Sequence, residues 1–307
     1  MRSCLTIMRP QLSFNNPSVA LRLETAHDFA SCLQIKSMKL IKTSAAVALV
    51  CTLAACGGGG GGEAAPATPP AAPAPAAVVN TGSVSAAFVA GTSPRYQLAG
   101  LASQSFGAAS TVVQDATGAV TKLAGVTLSG SPTATHEISG DTTYAQGRWV
   151  QGTVTSASGS TTLTGTSNDA YHYVAFNQLA ALPTTGAPSC AAGRMTAPTY
   201  TSGGTPGSAA NSGTATGTAT LSFGATSTAI TVSVAAQAGG SNGTVNGSSS
   251  ISSSAQTGIT GSYFGSGPGT QLAVGDGGTG KFIVVSAYKV TLANGANYQG
   301  VATFLCQ

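Results

Sequence analysis

From Val78 onward, apolar and polar residues alternate in short runs along the chain. Val, Ile, Leu, Tyr and Phe take every second place with Thr, Ser and Gly between them, the two-residue period of half-buried strands and not the 3.6-residue period of an amphipathic helix. The runs predict strands over 84–90, 96–99, 110–114, 119–129, 145–155, 160–164, 171–176, 214–223, 229–236, 244–252, 258–264, 270–274, 281–292 and 298–305. Turn residues separate them: Ala116-Thr117-Gly118, Asn242-Gly243, Asn246-Gly247 and Asn294-Gly295 read as tight hairpin connections between antiparallel neighbours. The expected class is therefore all-β, a barrel or sandwich of many short strands. Phe282, Val284, Tyr288 and Val290, with either Ile283 or Val285, are expected to fill a core while Ser and Thr face out.

Before Val78 the pattern is different. Lys39 and Lys42 precede an uncharged apolar stretch over 43–55, which ends in Leu53-Ala54-Ala55-Cys56. Positive, apolar and small-residue segments in that order make a secretory signal, and the stretch is shorter than the roughly 20 residues that span a bilayer. The last four residues resemble the box that directs lipid attachment to a bacterial lipoprotein cysteine, so Cys56 is the expected lipidated residue. Residues 38–55 are then a lipoprotein signal peptide starting at Met38, and 1–37, which carry no periodicity, an over-extended start. Six glycines, Gly57 to Gly62, would end any helix here. They open a Gly/Ala/Pro-rich linker, expected to be disordered, over 56–79 that can hold a domain roughly 50 Å from its lipid.

Discarding the leader removes the charge. Arg2, Arg9, Arg22, Lys36, Lys39 and Lys42 against Glu24 and Asp28 account for the whole formal net charge of +4, and six basic residues face six acidic ones in the remainder. No Lys/Arg cluster remains to neutralise phosphates, which excludes nucleic acid as a partner class. Cys4, Cys32 and Cys51 lie upstream of Cys56, leaving Cys190 and Cys306 as the expected disulfide of an exported domain. Two cysteines without CxxC spacing do not form a metal site, and no cofactor is expected.

Three matches to catalytic patterns are weak in a chain with 41 glycines. Gly275 to Gly280 fits GxGxxG and Gly275 to Lys281 approaches a phosphate loop, but Phe282 stands in place of the Ser/Thr and a strand follows instead of a helix, so no nucleotide is expected. Gly239-Gly240-Ser241-Asn242-Gly243 fits GxSxG without a strand-to-helix elbow. His136 and His172 are the histidines beyond Cys56, each read as a surface or strand-packed residue; no catalytic residue is expected and the chain is read as a non-enzyme.

Tyr171-His172-Tyr173-Val174, Leu179 to Gly186, Gly213 to Phe223 and Ile230 to Val234 resemble the β-barrel of transferrin-binding-protein-B-like lipoproteins. Gly261-Ser262-Tyr263-Phe264-Gly265 and Tyr298 to Phe304 resemble that family's later segments, although Gly269-Thr270 and the Cys190/Cys306 pair depart from it. The resemblance implies a soluble antiparallel barrel of about eight strands over 143–307, preceded by a small β handle over 80–142, on a lipid-anchored, outer-membrane protein of the cell surface. Gly57 after the cysteine resembles outer-membrane sorting, with the domain on the cell surface or on the periplasmic face. With eight Tyr, nine Phe and one Trp, the chain lacks the aromatic girdles of a membrane-spanning barrel. The family binds host proteins or solutes through variable loops, so no ligand-binding residue transfers, and the segment 187–211 is the loop expected to recognise a ligand. The alternative is a structural or adhesive envelope lipoprotein, suggested by Thr/Ser/Gly richness.

Overall fold

The computed structural model describes residues 80–101, 103–165, 169–204, 212–252, 260–261 and 267–307. The signal, Cys56 and the linker lie outside them, as do Ser262 to Gly265 of the family-like segment. Every regular element among the described residues is a strand, so the class is all-β. In chain order these are β1 (Gly82–Val84), β2 (Pro94–Gly100), β3 (Ser103–Ala108), β4 (Val112–Gln114), β5 (Val120–Leu123), β6 (Val126–Gly140), β7 (Tyr144–Ser156), β8 (Gly159–Thr164) and β9 (Tyr171–Asn177). The second half adds β10 (Arg194–Met195), β11 (Thr199–Ser202), β12 (Thr214–Phe223), β13 (Ser227–Ala238), β14 (Ser241–Ser252), β15 (Thr260–Gly261), β16 (Gly269–Asp276), β17 (Phe282–Thr291) and β18 (Asn297–Cys306).

Two hydrogen-bonded sheets account for these strands, antiparallel throughout except where β1 runs parallel to β6. The larger one has two lobes that meet where Asn177 of β9 pairs with Asp276 of β16. One lobe carries β2–β9, the other β16–β18 with β10 and β11 on the β18 edge. The smaller sheet is the meander β12-β13-β14. Among the described residues neither sheet closes on itself: the longest path of the larger one ends at β4 and β10, and the meander stacks on β17. Pairing of β6 with β7 runs across the boundary expected at 142/143.

Burial follows from that stacking. In β17, Val284, Tyr288 and Val290 pack with Leu221, Phe223, Ile230, Val232 and Val234 of the meander. Ile283, Val285 and Ala287, on its opposite face, pack with Tyr144, Val174 and Phe176. A strand buried on both faces reads as a continuous apolar run, which is why Ile283 and Val285 are both core and the choice between them disappears. Phe282 is only half-buried, and Ser286 is buried instead of facing out. A third cluster, in the first lobe, joins Trp149 and Tyr173 to Leu98, Val120, Leu123, Leu128 and Leu163.

Several expected boundaries move. The run 119–129 divides into β5 and β6 at Ala124-Gly125, both with positive φ (47° and 86°). Residues 84–90 supply only the end of β1, while β3 and most of β6 arise where no strand is expected. Asn242-Gly243 and Asn246-Gly247 lie inside β14, and the hairpin turns at Gly239-Gly240 instead. A side chain at Gly247 would collide with Thr270 of β16, so this glycine serves close approach between sheets.

Candidate functional site

A concavity among the described residues arises from a length mismatch. β6 occupies one edge of β7 along nearly its whole length. On the other edge, Tyr144 to Trp149 pair with β9 and Gln151 to Ser156 pair with β8. β9 continues the sheet into β2 and then β3, whereas β8 pairs with β7 alone. Between the β7–β8 hairpin and the β2–β3 hairpin a groove of about 520 Å³ remains open.

Its lining is uncharged. Leu98, Val126 and Val154 supply apolar surface, and the rings of Tyr96 and Tyr171 border it half-buried. Ser103, Gln104 and Ser105 line it from β3, and Ser156, Ser158, Ser160 and Thr161 from the β7–β8 hairpin. A mostly apolar concavity with a few convergent hydrogen-bonding groups is the usual form of a ligand site.

The tyrosines are held by the fold beneath them. Tyr171 pairs in register with Gly100 of β2, and a side chain at Gly100 would strike the Tyr171 ring, so the glycine is what lets that ring lie against the strand. Trp149 packs on Tyr171 with centroids 6.5 Å apart and on Tyr173 at 5.5 Å. Its indole N–H donates to the Val120 carbonyl, and the Tyr173 hydroxyl accepts from the Val120 N–H at 3.1 Å. With the Gln299 amide turned to the orientation its surroundings require, its oxygen accepts from the N–H groups of Gly100 (3.1 Å) and Leu101 (3.3 Å), tying the β2–β3 turn to β18.

The other residues singled out in the sequence have structural positions. His172 is fully buried, with Nδ1 and Nε2 each 2.8 Å from a hydroxyl, those of Thr196 and Thr199. Burial, and secondarily the Arg148 charge, holds its pKa well below the ordinary 6.5. Arg148 forms a two-pronged ion pair with Glu137, both contacts 2.8 Å, where β6 bulges and Glu137 takes a φ of 50°. His136 is partly buried on the same bulge, its pKa lowered by desolvation against the raising effect of Glu137. Neither histidine borders the groove. Gly277 to Lys281 form the β16–β17 turn and Gly239-Gly240 the β13–β14 turn, so neither glycine motif precedes a helix.

The segment 187–204 is laced down. Cys190 is bonded to Cys306, and β10 and β11 pair with β18. Thr196 accepts from the Val301 N–H. Residues 205–211 of the expected recognition loop lie outside the described set. Tyr96 and Tyr171 were not legible as groove residues, because their proximity depends on β2–β9 register and on β8 stopping short. Among the described residues no group of three His, Cys, Asp or Glu side chains converges to hold a metal ion. The chain matches no family model, no curated protein and no solved structure among those compared.

Proposed function

We propose that this chain is a lipid-anchored surface lipoprotein of the outer membrane, attached through Cys56, whose β-domain is a binding module for a solute or protein ligand. The observation that carries the reading is the groove at Tyr96 and Tyr171, uncharged among the described residues, since it combines apolar area with hydrogen-bonding groups. The lipobox-like Leu53-Ala54-Ala55-Cys56 and the Gly/Pro/Ala linker support the anchored half of the proposal. The likeness to transferrin-binding-protein-B-like lipoproteins belongs to the same reading, with β7, β9 and β16–β18 as wall strands of the barrel of about eight strands that it implies.

A structural or adhesive role is the second reading. One observation favours it: the solvent face of β12–β14 is a charge-free array including Thr214, Thr216, Thr218, Thr231, Thr244 and Ser248. Metabolic labelling with a fatty acid tests the anchor. Wild-type protein should be labelled and sediment with membranes, and Cys56→Ser should abolish both; an unlabelled wild type rejects the anchor. Retention of a ligand at the groove, lost in groove variants, separates binding from a purely structural role.

A further inference from the structure

We infer that the groove takes a neutral saccharide, its pyranose rings laid against Tyr96 and Tyr171. This rests on the proposal that the groove is a binding site, and not on the lipid anchor. Three features of the lining select the chemistry. First, among the described residues no charged side chain lines the groove. A carboxylate, phosphate or ammonium brought into it would lose water without gaining a counter-charge, which is costly, so a neutral ligand is favoured.

Second, two half-buried phenol rings line the groove at the boundary of the core. Tyr171 is backed by Trp149 at 6.5 Å and seated on Gly100, so its orientation is fixed before any ligand arrives. The C–H faces of a pyranose are its apolar surface and match a rigid aromatic ring, while its hydroxyls point outward around the ring edge. Third, those edges would meet hydroxyls: Ser105 on one bank and Thr161 on the other, with Ser103, whose proton goes to the Gly100 carbonyl, as a further acceptor. The hydroxyls of Ser105 and Thr161 both donate and accept, as sugar hydroxyls do. A hydrocarbon chain would displace water from Ser105 and Thr161 without replacing its hydrogen bonds, which disfavours a lipid tail.

Among the described residues β3 is also an edge strand, paired only with β2, so an extended peptide adding to it is the competing occupant. The test uses the full chain carrying Cys56→Ser. It is titrated calorimetrically with maltohexaose, cellohexaose and chitohexaose, with the acidic polymer polygalacturonate, and with an acetylated alternating threonine–valine hexapeptide. Trp149, the one tryptophan of the chain, reports independently through its emission because it touches Tyr171.

At least one neutral hexasaccharide should bind and alter Trp149 emission. Tyr96→Ala should weaken it by about tenfold, and Tyr96→Phe, which keeps the ring, should retain most of the affinity. Ser158→Trp, a change on an exposed turn, should fill the groove and abolish binding while leaving the far-ultraviolet spectrum unchanged. Saccharide binding that survives Ser158→Trp overturns the inference, as does an absence of response to all three neutral sugars at millimolar concentration. Binding of the hexapeptide alone also overturns it while leaving the groove a binding site; silence toward every probe counts against both.

Discussion

The indole N–H of Trp149 donates to the carbonyl of Val120, so a strand of the first lobe's hydrogen-bond path is completed by a side chain where backbone pairing gives out. Both groups are fully buried, and the Tyr173 hydroxyl takes the Val120 N–H on the same residue. Two aromatic residues thus satisfy both backbone groups of a core valine, and one of them backs the groove ring Tyr171. Replacing Trp149 by Phe should leave the carbonyl without a partner and lower unfolding free energy by about 2–3 kcal/mol, from the missing bond and the smaller ring. Urea denaturation followed by circular dichroism measures this; a change below about 0.5 kcal/mol would mean the bond contributes nothing.

The Cys190–Cys306 bridge closes a separation of 116 residues. In the chain-entropy picture its removal costs about 4 kcal/mol, and β10–β11 should loosen from β18 first because Cys190 leads into them. Thermal melts of the wild type and of the double variant Cys190→Ser, Cys306→Ser should differ by roughly 10 °C for a domain of this size. Hydrogen exchange should rise first in residues 191–202.

Acid should destabilise the domain through His172. Its folded pKa is depressed by burial and then by Arg148, so the native state holds the ring neutral while the unfolded chain takes up a proton below about pH 6.5. Stability is accordingly complete above that pH and falls as pH drops, by up to about 1.4 kcal/mol per pH unit for this site. His136, shifted in the same direction, adds to the slope. Denaturation midpoints measured from pH 8 to pH 5 should decline in the wild type and decline less steeply in His172→Gln.

Glu137 supplies both acceptors for the Arg148 guanidinium, whose side chain is 6% exposed against 30% for its partner. Glu137→Gln removes the charge but keeps the shape, leaving a buried cation facing one amide oxygen. The expected loss is about 2 kcal/mol, reduced from the value for a wholly buried pair because the carboxylate is partly solvated. Glu137→Gln and Arg148→Met combined should be less destabilising than the sum of the two singles, a coupling read from a double-mutant cycle.

How far the chain announced its own structure depends on the element. In β12 the alternation Thr-Ala-Thr-Gly-Thr-Ala-Thr-Leu-Ser-Phe gives both the strand limits and its buried face, because period two assigns each side chain to one side of a pleat regardless of what lies beyond. The Cys190/Cys306 pairing was equally readable, being what remained once the leader was set aside. The groove was not, since Tyr96 and Tyr171 are 75 positions apart and look like any strand tyrosine.

Alternation and turn residues therefore dictated the all-β class of the described residues and most of their strands, as properties of a few neighbouring residues. Which faces meet, where a sheet stays open, and whether a glycine turns the chain or lets another sheet come close are settled by long-range register. The contrast is visible in Gly247, whose Asn-Gly signal suited a hairpin until packing against Thr270 required a straight strand there. Local preferences of this kind amount to about 1 kcal/mol, and burial of a shared core outweighs them.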